Sequence, residues 1–270
     1  MILYGWKNGF CNKKRLVAPF GVRGRASLFA ALSILLLTAG CQHSAREQPI
    51  SLVFPKVGTA ASGSFTVAGK AIPLPAGDWT VIGSQVTKDG DQGYNTAHML
   101  ARIEGNSLHS AVEIYTNLPV NKSEGKGWLT VRSCTRDDMH FLEVFSNSRR
   151  GEQDCWWVNH RRMDGPRSLE HWKEARKYLS DNRIPAPLDM IAVSYRLANE
   201  SDYLTVSYFF NPEKSGLSTG SDIHWNVHTW VTSVWHPDKV KGDIKKTNFI
   251  KALISWGKQW HKKVKASVGM

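Results

Sequence analysis

Two histidines four residues apart, His224 and His228, with His236 further on, are the closest this chain comes to a metal-ligand set. On a helix the pair would share a face. The Val, Thr and Trp around them favour an extended segment, where four residues span roughly 13 Å. Ligands of one zinc ion each stand about 2 Å from it, so hydrogen-bonded or surface histidines are expected. The run Asp89-Gly90-Asp91-Gln92-Gly93-Tyr94-Asn95 imitates a calcium loop. It fails where an EF-hand needs glycine, at Tyr94, and where it needs a bidentate glutamate, at Leu100. It reads as a hairpin turn, and neither a metal nor another cofactor is expected. Acids such as Glu113, Asp137 and Asp138 could serve glycoside hydrolysis, but their spacing does not set them apart from solvated carboxylates. Ser and His residues are too numerous for spacing to single out a triad. Trp225, Trp230 and Trp235, with His228 and His236, form a candidate ligand surface; the same tryptophans also suit a core.

The elements that must position these residues are mostly strands. Phe65–Val67, Trp79–Ile82 and Ala97–Ile103 are short β-prone runs. Gly105-Asn106 turns the chain into Ala111–Tyr115 as a hairpin. Trp128–Cys134, Phe141–Phe145 and Trp156–Asn159 continue the series. Ile191, Val193, Tyr195 and Leu197 alternate with smaller or polar residues, as do Leu204, Val206, Tyr208 and Phe210. Asn199–Asp202 joins the two runs, which predicts an antiparallel pair sharing one buried face. Ser168 is a candidate N-cap for a helix carrying Trp172, Ala175 and Leu179, closed by Pro185. From Phe249 to Val264, Ile250, Leu253, Trp256 and Trp260 lie on one helical side. Lys251, Lys258, Lys262 and Lys265 lie on the other. The expected class is α+β, a mainly antiparallel sheet with two or three packed helices, the amphipathic C-terminal one included.

The ends and the charge bear on compartment. Residues 1–40 hold six Lys or Arg and no acid, and Ala26–Gly40 is an uncharged run of 15 residues. That is a secretory signal in outline, short of the roughly 20 residues that span a bilayer. Leu37-Thr38-Ala39-Gly40-Cys41 resembles the lipobox of bacterial lipoprotein precursors. The resemblance implies cleavage before Cys41 and a membrane anchor through lipid on its thiol. Gln42 after the cysteine implies an outer-membrane destination facing the periplasm. Residues 41–63 read as lipidated cysteine and flexible tether, with a span of about 25 Å, and 64–270 as a single globular domain. The formal charge falls from +12 to +6 once residues 1–40 are set aside. Cys134 and Cys155 then remain as a pair suited to a disulfide in an oxidising compartment. A simple meander of 128–134, 141–145 and 156–159 would hold them far apart, so the intervening chain must fold back or leave the sheet.

The stretches Cys134–Arg136, Gln153–Trp156, Tyr208–Glu213, Trp235–Pro237 and Ile254–Gly257 resemble a group of uncharacterised exported proteobacterial proteins. That group implies no activity and no catalytic residue. The expectation is a non-enzymatic envelope protein that binds or scaffolds an envelope protein or glycan, with no nucleic-acid partner. The alternative is an enzyme acting on cell-wall glycan or lipid, with its site among residues 224–236.

Overall fold

The computed structural model describes residues 54–88, 93–118, 127–163, 169–220 and 230–269. Cys41, Asp89 to Gln92, Ser168, His224, Trp225 and His228 lie outside them. The described strands are β1 (Ala60–Ala61), β2 (Ser64–Val67), β3 (Lys70–Pro73), β4 (Trp79–Lys88), β5 (Tyr94–Glu104), β6 (Ser107–Asn117), β7 (Phe141–Asn147), β8 (Gln153–Arg162), β9 (Asp189–Ala198) and β10 (Tyr203–Phe210). The described helices are α1 (Glu170–Asp181), α2 (Pro237–Val240) and α3 (Ile244–Val268). Eight strands form one sheet in the order β1-β4-β5-β6-β10-β9-β8-β7, antiparallel throughout, and β2-β3 is a separate hairpin. The fold is α+β.

Register decides what each face carries. Ile114, Val206, Tyr195 and Trp156 align across β6, β10, β9 and β8. They belong to the larger core, which α3 and the β2-β3 hairpin cover. One residue along, Glu113, Ser207, Ser194 and Trp157 align on the opposite face. On that face α1 packs over β4 and β5, enclosing a second core of Ile82, Met99, Leu108, Trp172 and Phe209. The expected single buried face of β9 and β10 is therefore corrected. Every residue of β9 is buried: α3 packs on one face, and on the other Arg196 donates to Leu129 O while Ala198 packs with Trp128.

Two glycines let the helices come close. Gly83 lies at a register shift in β4, and a Cβ there would fall 2.0 Å from the His171 carbonyl of α1. Gly257 of α3 would place a Cβ 2.5 Å from Trp156, and its carbonyl accepts from Tyr195 Oη at 2.9 Å. This shifts the buried stripe of α3. Ile250, Leu253, Gly257, His261 and Val264 face the sheet, while Trp256 and Trp260 flank it half-buried. Lys251, Lys258 and Lys262 are exposed as expected, but Lys265 bonds Asp154 at 2.7 Å. The helix also starts five residues before Phe249, where Asp243 accepts from Lys245 N and Lys246 N.

Two further expectations change. Ala60 and Ala61 pair with Thr80 and Trp79, so the folded part begins inside the stretch read as tether. Residues 128–134 form no strand. Trp128 and Val131 lie in extended chain that enters a 3-10 turn at Arg132–Thr135, so the segment carrying Cys134 leaves the sheet, while the chain between the cysteines keeps β7 in it. The Cys134–Cys155 bond is present, with Cα atoms 6.0 Å apart. It pins that turn over β8. Among the described residues no helix is long and apolar enough to cross a membrane.

Candidate functional site

Residues at the end of β8 help line two separate pockets. Met163, next after the strand, helps line a cavity of about 390 Å³ beneath α1, with Ile82, Met99, Leu108, Ala111 and Trp172. Arg176 and Ser180 are the polar side chains of that lining. Arg161 and Arg162 line a second cavity of about 270 Å³, shared with Arg136, Trp157, Asn159 and Trp230. The first has the size and apolar walls of a small-molecule site. The second is basic, and among the described residues its lining contains no Asp or Glu.

Between them Arg161 spreads over aromatic rings. Its guanidinium lies 5.8 Å from the centre of the Trp172 ring and 6.0 Å from that of Phe209. Its Nη2 stands 3.7 Å from Glu113 Oε2. Glu113 is 2 % exposed and accepts from Trp172 Nε1 at 2.5 Å. His171 Nε2 lies 3.0 Å from the same carboxylate and 3.1 Å from the Tyr115 hydroxyl. The His171 backbone N–H donates to Gln85 Oε1 at 3.2 Å. That fixes the facing Gln85 atom as oxygen, so His171 Nδ1, 3.1 Å from it, carries hydrogen. This network bolts α1 to β4 and β6 and leaves Glu113 and His171 sealed from solvent. Of the acids that could in principle serve glycoside hydrolysis, Glu113 is thus part of the packing. Asp137 is exposed, and Asp138 holds Arg136 through two bonds of 2.5 and 2.6 Å.

The candidate ligand surface divides. Trp235 is fully buried and donates from Nε1 to Ser218 O at 3.1 Å, so it is core and is removed from the surface. Trp230 lines the basic pocket, with the Arg136 guanidinium 4.7 Å over its ring. His236 packs on Trp230 at 4.5 Å between ring centres. Sequence reasoning missed His160 and His140. His160 stacks on Trp230 at 5.2 Å and donates from Nε2 to its carbonyl at 3.0 Å. His140 donates to Trp235 O at 2.9 Å. They are distant in the chain from Trp230, so no local spacing signalled them. Burial lowers the pKa of His140 to about 4, against the opposing effect of that bond. Among the described residues no group of three His, Cys, Asp or Glu side chains could hold a metal ion.

One nucleophile pattern also went unread in the chain. Gly216-Leu217-Ser218-Thr219-Gly220 has the Gly-x-Ser-x-Gly form. A nucleophile elbow needs a sharp strand-to-helix turn. Ser218 instead follows the 3-10 turn Pro212–Ser215, is exposed, and its Oγ accepts from Gly220 N at 3.1 Å. The motif is present without the context that would activate it. No protein-family model, no curated protein and no solved structure matches this chain.

Proposed function

We propose that this is a lipid-anchored binding protein of the bacterial envelope, non-enzymatic, that takes an apolar chain into the pocket beneath α1. The observation that carries the reading is that pocket. It has a volume of about 390 Å³ and walls of Met, Leu, Ile, Ala and Trp, with Arg176 and Ser180 among its lining. Such composition suits burial of hydrocarbon, worth roughly 0.8 kcal/mol per methylene, and supplies no acid–base pair to a reacting bond. The Leu37–Cys41 lipobox pattern, with Gln42 after it, supports an outer-membrane anchor facing the periplasm. The Cys134–Cys155 bridge suits an oxidising compartment.

Displacement of a fluorescent fatty acid tests the reading. The unlipidated chain from Gln42 keeps the whole compact unit Ser51–Met270. It should bind the probe saturably and release it to dodecanol. Ala111→Phe, which fills the pocket from its floor, should weaken probe binding at least tenfold. Equal binding by that variant would refute the pocket as the site.

A further inference from the structure

We propose that the arginine-lined pocket holds the anionic, phosphate-class head of an amphiphile whose chain lies beneath α1. The inference rests on the reading of the apolar pocket as a binding site. Residues 161–163 at the end of β8 bring the two cavities close to each other. Arg161 and Arg162 line the basic one and Met163 the apolar one, with adjacent Cα atoms about 3.8 Å apart. The Trp172 ring beneath Arg161 is itself part of the apolar wall. A molecule reaching from one to the other passes from hydrocarbon surface to guanidinium groups within a few ångströms.

Charge sets the sign of the head. Among the described residues, the basic lining holds Arg136, Arg161 and Arg162 and no carboxylate. Among the described residues, acids beside it include Asp138, bonded to Arg136, Glu113, 3.7 Å from Arg161, and Asp189, the cross-strand neighbour of Arg162. The lining itself thus carries guanidinium groups and, among the described residues, no carboxylate, which favours an anionic guest over a cationic one.

Hydrogen bonding points to an oxyanion. Arg161 Nε and Trp230 Nε1 are buried N–H donors with no hydrogen-bond partner among the described residues, and both residues line this pocket. Buried donors are ordinarily satisfied, and phosphate oxygens would accept from them with charge assistance. The donors come from separate elements. Arg161 and Asn159 belong to β8, Arg136 to the disulfide-pinned turn and Trp230 to the segment before α2. Donors arriving from several directions suit a tetrahedral phosphate better than a planar carboxylate. The same chemistry belongs to a phospholipid head and to free phosphate, and the chain in the neighbouring pocket favours the former.

Calorimetric titration of the chain from Gln42 with four probes separates the cases: dodecyl phosphate, dodecanol, dodecyltrimethylammonium and inorganic phosphate. The expected result is dodecyl phosphate bound at least tenfold tighter than dodecanol, with the ammonium probe weakest. Arg161→Gln should cut the phosphate-to-alcohol preference about tenfold. Arg136→Gln, whose guanidinium is already engaged by Asp138, should cut it less. Equal affinity for phosphate and alcohol, or an unchanged preference in both variants, overturns the head-group site while the apolar pocket stands. Binding of inorganic phosphate with none of the dodecyl probes bound overturns the amphiphile and the apolar-pocket reading together.

Discussion

His98 is clasped by Ser84 Oγ, 3.2 Å from Nδ1, and Thr96 Oγ1, 2.8 Å from Nε2, with the Phe65 ring 5.4 Å away. Burial, aided by the charge of His171, lowers its pKa from 6.5 to about 4, and burial does the same for His140. A histidine of depressed pKa binds its proton in the unfolded chain first. Its stabilising contribution is complete above about pH 6.5 and is lost as pH falls from 6.5 towards 4, on the order of 3 kcal/mol for each such residue. Urea unfolding across that window should show the decline, and His98→Gln should flatten part of it. An unchanged slope in that variant would remove His98 as a source. Asp154 acts at lower pH. Burial raises its pKa, but bonds from His261 and Lys265, with their charges, outweigh burial and leave it below the usual carboxylate value. Its contribution is therefore present above about pH 4 and lost below, so Asp154→Asn should change only the acid limb of the same curve. None of these partners was legible in the chain. Asp154 and His261 are 107 residues apart, and pairing at that distance leaves no local spacing to read.

At the scale of elements, the hairpins were readable because their signals are local. Gly105 takes φ +60° in the β5-β6 turn, and Asn199 Oδ1 accepts from Ser201 N and Asp202 N between β9 and β10. The burial of α3 was legible only in part. Hydrophobicity weights Trp256 and Trp260, whereas contact with the sheet runs through Gly257, which a hydropathy pattern counts as nothing. Gly257→Ala should therefore destabilise the fold by about 1–3 kcal/mol through overpacking against Trp156 and Val193, despite the better helix propensity of alanine. Trp256→Ala removes a half-buried ring stacked on Trp260 and edge-on to Phe210. It should cost less than the ~3–5 kcal/mol of a fully buried aromatic. Urea titration of both variants checks the order, and a larger loss at Trp256 would restore the tryptophan-centred stripe. The strand expected at 128–134 failed because β-propensity cannot report a disulfide that draws the chain off the sheet. Cys134→Ser with Cys155→Ser should remove roughly 3 kcal/mol by the chain-entropy model and loosen the Arg136 wall of the basic pocket.

For the whole molecule, the sheet joins two antiparallel meanders, β4-β5-β6 and β8-β9-β10, through the β6-β10 pair at its centre. The α+β class followed from the alternation of β-prone runs with two helical patterns. The pocket did not, because its walls come from β4, β5, β6, α1 and the chain on either side of α1. Such a cavity depends on how far Gly83 lets α1 approach the sheet. The proposed lipid anchor is checked separately: Cys41→Ser should abolish acyl labelling and leave uncleaved precursor, and normal processing would exclude it. The central claim, that the space beneath α1 receives an apolar chain, is tested most directly by methyl NMR. With methionine methyl groups labelled, dodecanol should shift the Met99 and Met163 signals, which line that pocket. Met139, which lines the neighbouring basic pocket, should shift less than either. Shifts confined to Met139, or no saturable shift at Met99 and Met163, would contradict the account.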